Sequence, residues 1–318
     1  MQLPQWLRDK QTEALECLER ENARLHLSRT DYELARWRIR RRGGIGGSDL
    51  GTLLGMNPWK SPLELWQDKT WQTELEILDN PDPKNDRPKR MGQYFEQVVA
   101  DEYTIATGNQ VRRKNQMVWH DNGLFFANVD RLVQGTRILL ECKKQGYAQR
   151  DRWGDTDTTN IPREILCQVM HYMGILDRAE AHVAVLLGDY DFRWYCIPRN
   201  DEVIDKMWAA ALAWWETYVL ENTAPPPRSV ADVLKLFPES IEERSVVATD
   251  AVMGMCEGLA SVKHELKELG DAKESYEFEI KKFMEAAEGL MDPTGELLAT
   301  WRTGKRGRSF RLKLQHRG

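Results

Sequence analysis

DNGLFFANVDRLVQGTRILLECKK, residues 121–144, is two apolar runs separated by a turn. Leu124-Phe125-Phe126 precedes Asp130, Ile138-Leu139-Leu140 precedes Glu141, and Gln134-Gly135 supplies turn residues between them. This is the chemistry of a β-hairpin, with Asp130 expected near the end of one strand and Glu141-Cys142-Lys143 near the end of the next. Side chains alternate along a strand, so Glu141 and Lys143 share one face while Leu140 and Cys142 point the other way into a core. One surface is therefore expected to carry an Asp, a Glu and a Lys.

Two carboxylates on neighbouring strands are hard oxygen ligands suited to Mg²⁺, and they leave positions for water and a substrate phosphate. A bound ion lowers the pKa of its water and neutralises charge developing on the phosphate, and a second ion can stabilise the leaving oxygen. Protonated Lys143 cannot ligate, but it can orient the attacking water or meet the phosphate charge. The trio points to metal-dependent phosphodiester hydrolysis. Taken alone, an Asp-x(n)-Glu-x-Lys pattern arises roughly once or twice by chance in a chain this long, so the surrounding segments carry the reading.

Residues 90–103 read as a helix with Met91, Phe95, Val98, Val99 and Tyr103 on its apolar side, and Glu96 sits beside that stripe. Such a carboxylate is either an interfacial ion-pair partner or a third metal ligand. Arg36, Arg38, Arg40, Arg41 and Arg42 run into Gly43-Gly44-Ile45-Gly46-Gly47-Ser48-Asp49. Ser48 is expected to cap a helix through about Leu54, and a glycine-rich approach to a helix N-terminus behind arginines is a natural phosphate site. Ile161-Pro162 opens a third helix, through Leu176, with Ile165, Val169, Tyr172 and Leu176 as its core stripe. Gln168 and Tyr172 lie one turn apart there, placed to reach either a substrate or a buried backbone group.

With these motifs in order, residues 37–195 resemble the YqaJ-like viral recombinase group of lambda-type phage exonucleases, in the PD-(D/E)xK nuclease superfamily. The motifs are Trp37, Arg41, the glycine run with Ser48-Asp49, Gly92-x-x-x-Glu96, Asp130, Glu141-x-Lys143 and Gln168-x-x-x-Tyr172. The resemblance implies Asp130 and Glu141 as metal ligands, joined by the backbone carbonyl of Cys142, with Lys143 as the catalytic lysine and Glu96 close to the metals. It further implies Arg41 and Ser48 as a pocket for a 5′ phosphate and Gln168 as a residue lining the active site. The implied cofactor is Mg²⁺, two ions per site, with Mn²⁺ as a substitute. The implied partners are double-stranded DNA ends, a ring-shaped homotrimer and a single-strand annealing protein. Val129 stands where the superfamily's proline would be, which removes backbone stiffness but no ligand.

At 318 residues and 41% hydrophobic content, the chain can build one catalytic domain of roughly 220 residues and a smaller appendage. No apolar run reaches about 18 residues and no charged-then-apolar leader opens the chain, so neither a membrane span nor a signal peptide is expected. Five cysteines, widely spaced and without a CxxC or Cys/His zinc pattern, fit reduced intracellular thiols, and the resemblance implies a phage or prophage protein in the bacterial host cytoplasm. No nucleophile-elbow sequence supports a serine or cysteine hydrolase. A net charge of −5 argues against a protein that coats DNA all over, yet the charge is uneven. Arg36 to Arg42 holds five arginines, Arg112-Arg113-Lys114 adds three positive charges, and residues 301–318 hold seven basic and no acidic residues. Residues 231–300 hold sixteen acidic and seven basic ones. An acidic exterior with basic strips suits a protein that guides DNA through one channel.

The expected architecture is α/β: a PD-(D/E)xK restriction-endonuclease-like core with a mixed β-sheet flanked by helices, plus a C-terminal long helix and β-hairpin. Helices are expected over residues 6–27 and from a Thr30-x-x-Glu33 capping box, with another opened by Ser61-Pro62. The polar loop over residues 79–89 holds three prolines. Strands are expected at 181–187 and 192–197, then a helix over 202–220 whose Trp208, Trp214 and Trp215 serve packing. Ala224-Pro225-Pro226-Pro227 is expected to end the exonuclease domain, giving domains 1–223 and 228–318. From Val252 to Ala287 apolar residues alternate in steps of three and four, through Gly270, which favours one long helix whose stripe is buried against its own domain or a neighbouring subunit. A basic hairpin over 297–314 closes the chain. The trio predicts a metal-dependent nuclease, and the resemblance, with its Arg41/Ser48 pocket, implies a Mg²⁺-dependent 5′-to-3′ double-stranded DNA exonuclease that leaves 3′ single strands for recombination by annealing. The alternatives are a structure- or sequence-specific endonuclease of the same superfamily and a non-catalytic DNA-binding scaffold.

Overall fold

The computed structural model describes residues 3–26, 29–73, 87–114, 116–156, 158–305 and 307–314. Two compact units divide between Glu239 and Ser240. The first begins with α1 (Gln5–Leu25), α2 (Arg29–Arg42), α3 (Gly47–Leu53), α4 (Pro62–Lys69) and α5 (Arg87–Thr107). Ser61 caps α4 by accepting from the Glu64 backbone N at 3.1 Å, and Glu64 Oε2 accepts from the Ser61 backbone N at 2.8 Å, a capping box with proline at the first helical position. The Thr30 side chain and residues 74–86 lie outside the described residues. So do most of the polar loop and the capping role of Thr30.

The central sheet has the order β1-β4-β5-β6-β7, from β1 (Val111–Arg113), β4 (Arg131–Val133), β5 (Ile138–Gln145), β6 (Glu180–Leu187) and β7 (Asp191–Pro198). A separate two-stranded ribbon is made of β2 (Val118–Trp119) and β3 (Phe126–Ala127). β5 and β6 are parallel and the other neighbours antiparallel, so the sheet is mixed. The hairpin differs from expectation in one respect. Leu124, Phe125 and Phe126 do not continue the strand that pairs with β5. Phe126 pairs with Trp119, and Phe125 bridges Ile45. β4 is short and starts at Arg131, which puts Asp130 at its mouth. Gly135 holds the turn with φ of +72°, where a Cβ would be strained.

Helices cover both faces of this sheet. Val99 and Tyr103 of α5 pack on Leu140, Cys142, Ala184 and Leu186, while Met91 and Val98 of the expected stripe are exposed. The opposite face takes Leu139, Val183, Val185 and Leu187 against Val169, Tyr172 and Met173 of α6 (Arg163–Leu176). Each fully buried aliphatic side chain there contributes about 1.5–3 kcal/mol. α7 (Asp201–Trp214), capped by Asn200, runs into a π-helical turn to Leu220, and Trp214 and Trp215 are buried in this core. The unit extends past the proline run because α8 (Val230–Leu236) is tied back: Asp232 accepts from the Ser61 hydroxyl at 2.6 Å, and Lys235 pairs with Glu64. Nothing in the sequence signals that the buried Asp232 follows the prolines.

His171 lies fully buried on α6, where it accepts from Trp208 Nε1 at 3.0 Å on Nδ1 and donates from Nε2 to the Phe126 carbonyl at 3.1 Å. Burial lowers its pKa from 6.5 to about 4. The unfolded chain protonates this ring near pH 6.5 and the folded chain only near pH 4. Its contribution is therefore whole above pH 6.5 and is lost as pH falls to 4, by about 3 kcal/mol in total. Melting temperatures measured across that window are expected to drop, with a shallower slope in His171→Gln. An unchanged slope in the variant would remove His171 as the cause.

The second unit holds α9 (Asp250–Met284) and a three-stranded antiparallel sheet of order β10-β9-β8, from β8 (Gly289–Met291), β9 (Leu297–Gly304) and β10 (Gly307–Leu312). α9 is one helix through Gly270, capped by Thr249. β8 is a strand that the sequence pattern did not suggest. Within the single chain the three-four stripe is largely uncovered: Val252, Met255, Leu259, Val262, Leu266, Leu269, Tyr276, Phe283 and Ala287 are exposed and Ile280 is half-buried, so of the two expected covers its own chain does not supply one for most of its length.

Candidate active site

The site is assembled from β4, β5, α3 and α6. Strand alternation turns Glu141 and Lys143 to the face covered by α6, and Leu140 and Cys142 to the α5 face. Asp130 reaches across from the mouth of β4, where its Oδ2 accepts from the Cys142 backbone N at 2.9 Å. This bond fixes one carboxylate beside the peptide that follows the other. Glu141 Oε1 accepts from Lys143 Nζ at 2.6 Å and from Gln168 Nε2 at 2.7 Å. Gln168 also donates to the Tyr172 hydroxyl at 3.1 Å and accepts from Lys143 at 3.1 Å, so every polar atom of its amide is engaged.

The second oxygen of Glu141, Oε2, is buried with no hydrogen-bond partner. A buried carboxylate oxygen without a donor costs about 1–3 kcal/mol or more. Its neighbour Asp130 is in a related position: burial, and then the adjacent Glu141 charge, push its pKa well above the usual carboxylate range. Two carboxylates crowded together, one with an unpartnered oxygen, make a donor set that a divalent cation satisfies. Asp130, Glu141 and the Cys142 carbonyl are the groups that would hold it. Burial opposes the charge on Lys143, but Glu141 and Asp130 outweigh it and raise its pKa, so Lys143 is a protonated donor at neutral pH.

Glu96 is placed differently from the other carboxylates. It pairs with the buried Arg131 and lies 4.0 Å from Arg113. Its charge still adds to the field that raises Asp130.

The glycine loop meets the trio through α6. A Cβ on Gly47 would stand 2.7 Å from the Tyr172 ring and 2.8 Å from Gln168 Cγ, so only glycine lets the start of α3 close on these two residues. Ser48 follows it in the first turn, exposed. It is not the helix cap, because Gly46 occupies that position and Asp49 Oδ2 accepts from the Gly46 backbone N at 3.0 Å. Arg41 stacks over the Trp37 ring at 4.8 Å, and its guanidinium is 3.9 Å from Asp49 Oδ1.

Sequence reasoning missed Lys69. This residue is fully buried, and its Nζ donates to Asp49 Oδ2 at 2.8 Å and to the Arg41 carbonyl at 2.9 Å. It anchors the backbone of Arg41 and the carboxylate beside the Arg41 guanidinium with one ammonium. Burial opposes ionisation of Asp49, but Lys69 and Arg41 hold its carboxyl far below the ordinary value. No spacing signal marks Lys69, since a lysine in the last turn of a short helix normally reads as solvated.

Alkaline exonuclease LHK-Exo from Laribacter hongkongensis superposes with a TM-score of 0.43 at 18% identity, over 58% of this chain and 92% of that one. A phage-related exonuclease from Haemophilus somnus 129PT gives 0.39 at 14% identity, over 57% and 96%. In sequence, the uncharacterized protein YqaJ of Bacillus subtilis (strain 168) is 34% identical over 259 residues, which is 79% of this chain and 78% of that protein. Residues 36–180, which carry every site residue described above, match the YqaJ-like viral recombinase domain, and with the relative's identity and coverage this establishes that the chain belongs to that family.

Proposed function

We propose that the protein is a Mg²⁺-dependent deoxyribonuclease that degrades linear duplex DNA from its 5′ ends and leaves 3′ single strands for recombination by annealing. The observation that carries this is the meeting of Asp130, Glu141 and Lys143 under Gln168, with Glu141 Oε2 buried and unpartnered. A bound Mg²⁺ supplies an activated water and a counter-charge for the phosphate. The residues do the rest. The Cys142 amide holds Asp130 in place, and Gln168 and Lys143 fix Glu141 by its other oxygen. Lys143 keeps its positive charge where a scissile phosphate oxygen or the attacking water would lie. Arg41 and the exposed Ser48 at the start of α3 offer a cation, a hydroxyl and helix N–H groups to a terminal phosphate. Arg36 and Arg40 line a surface hollow with Trp37 and Trp119, a basic and aromatic approach for a DNA strand. The family's description as a viral recombinase agrees with a role at DNA ends. The homotrimeric ring, the annealing partner and a bacterial cytoplasmic setting belong to the same proposal and rest on the resemblance.

The test is digestion in Mg²⁺ of linear duplexes with 5′-phosphate or 5′-hydroxyl ends, labelled on either terminus, beside a closed circle. Loss of the 5′-phosphorylated strand about tenfold or more faster than the hydroxyl form, with the circle spared, is expected. Arg41→Ala should erase that preference. Cutting of the circle would instead make the protein an endonuclease, and binding without cleavage of any substrate would make it a scaffold.

A further inference from the structure

On the face of the sheet opposite Glu141 and Lys143, β6 and β7 bring together three side chains of metal-binding chemistry. Glu180 and His182 are two residues apart on β6 and share a face. Cys196 on β7 is directly opposite His182 in the ladder. Glu180 Oε1 lies 3.2 Å from His182 Nε2, and Cys196 Sγ lies 3.4 Å from the same nitrogen. One donor atom from each residue falls within 4.8 Å of the other two. We propose that Glu180, His182 and Cys196 form a second metal site, for one Zn²⁺-class ion, separate from the carboxylate site.

The donor set decides the class of ion. Thiolate and imidazole select a borderline-soft metal, whereas the Asp130 and Glu141 oxygens suit a hard one. The spacing fits as well. Bonds of about 2.0–2.3 Å to a tetrahedral zinc set nitrogen and oxygen ligands about 3.3 Å apart and nitrogen and sulfur about 3.6 Å apart. The two contacts of His182 Nε2, 3.2 and 3.4 Å, need shifts of only tenths of an ångström, and the Glu180 oxygen and Cys196 sulfur, within 4.8 Å of each other, close on the ion by rotation of the half-buried Glu180 side chain.

The ring of His182 is already aimed. Its Nδ1 is 2.5 Å from the hydroxyl of Tyr103, a fully buried residue of α5 whose oxygen also accepts from Asn109 Nδ2 at 3.0 Å. That leaves Nε2 facing Glu180 and Cys196, with the outer-shell hydrogen bond that metal-bound histidines use to fix their orientation. Imidazole ligates as the neutral ring through its unprotonated nitrogen, and Nε2 is the nitrogen that faces both other donors. Cys196 is exposed and Glu180 half-buried, which gives an ion a path from solvent and leaves a fourth position for water. On binding, the Cys196 thiol releases its proton to solvent, the single ring proton of neutral His182 sits on Nδ1 toward the Tyr103 oxygen so that the Nε2 lone pair meets the ion, and no electrons are transferred. The ion ties the start of β6 to the end of β7 and, through Tyr103, to the helix that carries Glu96.

Titration of the full-length protein with Co²⁺, a spectroscopic stand-in for Zn²⁺, in excess Mg²⁺ to occupy the hard site, tests this directly. A thiolate-to-cobalt charge-transfer band that saturates at about one equivalent and is bleached by Zn²⁺ is expected. It should vanish in Cys196→Ser, a surface change that leaves the fold intact by circular dichroism, and persist in Cys256→Ser, which alters the other exposed cysteine. No band in the wild-type protein, or a band that survives Cys196→Ser, overturns the proposal.

Discussion

Glu141→Gln is expected to lower Mg²⁺-dependent digestion of linear duplex DNA by about a thousandfold or more while leaving the protein at least as stable as before. The substitution keeps volume and shape and removes one charge. Glu141 Oε1 accepts from both Lys143 and Gln168, so the amide oxygen must take that position and the NH₂ must turn to where Oε2 lies buried without a partner. A donor then stands where the ligand oxygen was, and the cation loses a charged ligand. Stability moves the other way because Glu141 is part of what raises Asp130. A carboxyl whose folded pKa lies above its unfolded value contributes stability at low pH and loses it as pH rises through the folded value. In chelator, wild-type protein should therefore destabilise as pH climbs above the ordinary Asp range, and Glu141→Gln should flatten that fall. Mg²⁺ should raise the melting temperature of the wild type and not of the variant. Full digestion by Glu141→Gln would sink the site assignment, and a melting temperature much below the wild type would show that activity was lost through folding.

The face that carries Glu141 and Lys143 is legible because strand alternation is a rule of geometry: if the apolar run from Ile138 continues as a strand through Lys143, the two must share a face. Gln168 and Tyr172 followed from helical spacing in the same way. What the pattern did not give was the path of the chain before Asp130. Leu124-Phe125-Phe126 has strand chemistry, but periodicity does not say which strand it pairs with, and the partners turned out to be Ile45 and Trp119. The stripe on α9 shows the same gap. Steps of three and four predict a long helix, and α9 is one, but they do not say what covers it, and most of the stripe is exposed. Lys69 was invisible for a different reason. Its burial depends on α4 lying behind the glycine loop, a tertiary fact with no local signature.

Lys69→Met is expected to cost about 3–5 kcal/mol of folding stability, measured by urea denaturation, because it leaves a buried carboxylate without its counter-ion. That is a large share of the total, which is about 5–15 kcal/mol for a typical domain. Asp49 is 3% exposed, and its other charged neighbour, Arg41, stands at 3.9 Å, too far to replace an ammonium at 2.8 Å. Adding Asp49→Asn to Lys69→Met should restore more than half of the loss, since an amide oxygen still accepts from the Gly46 N–H and no charge is left buried. The single and double variants separate charge from shape. If the pair only fills space, both will be equally unstable, and a single-variant cost below about 1 kcal/mol would mean that water reaches Asp49. The same ammonium holds the Arg41 carbonyl. The double variant, folded but without that anchor, should therefore digest 5′-hydroxyl ends at the wild-type rate and lose part of the preference for 5′-phosphate. This asymmetry arises because Lys69 acts on the pocket through Arg41, while Asp130, Glu141 and Lys143 are held by bonds of their own.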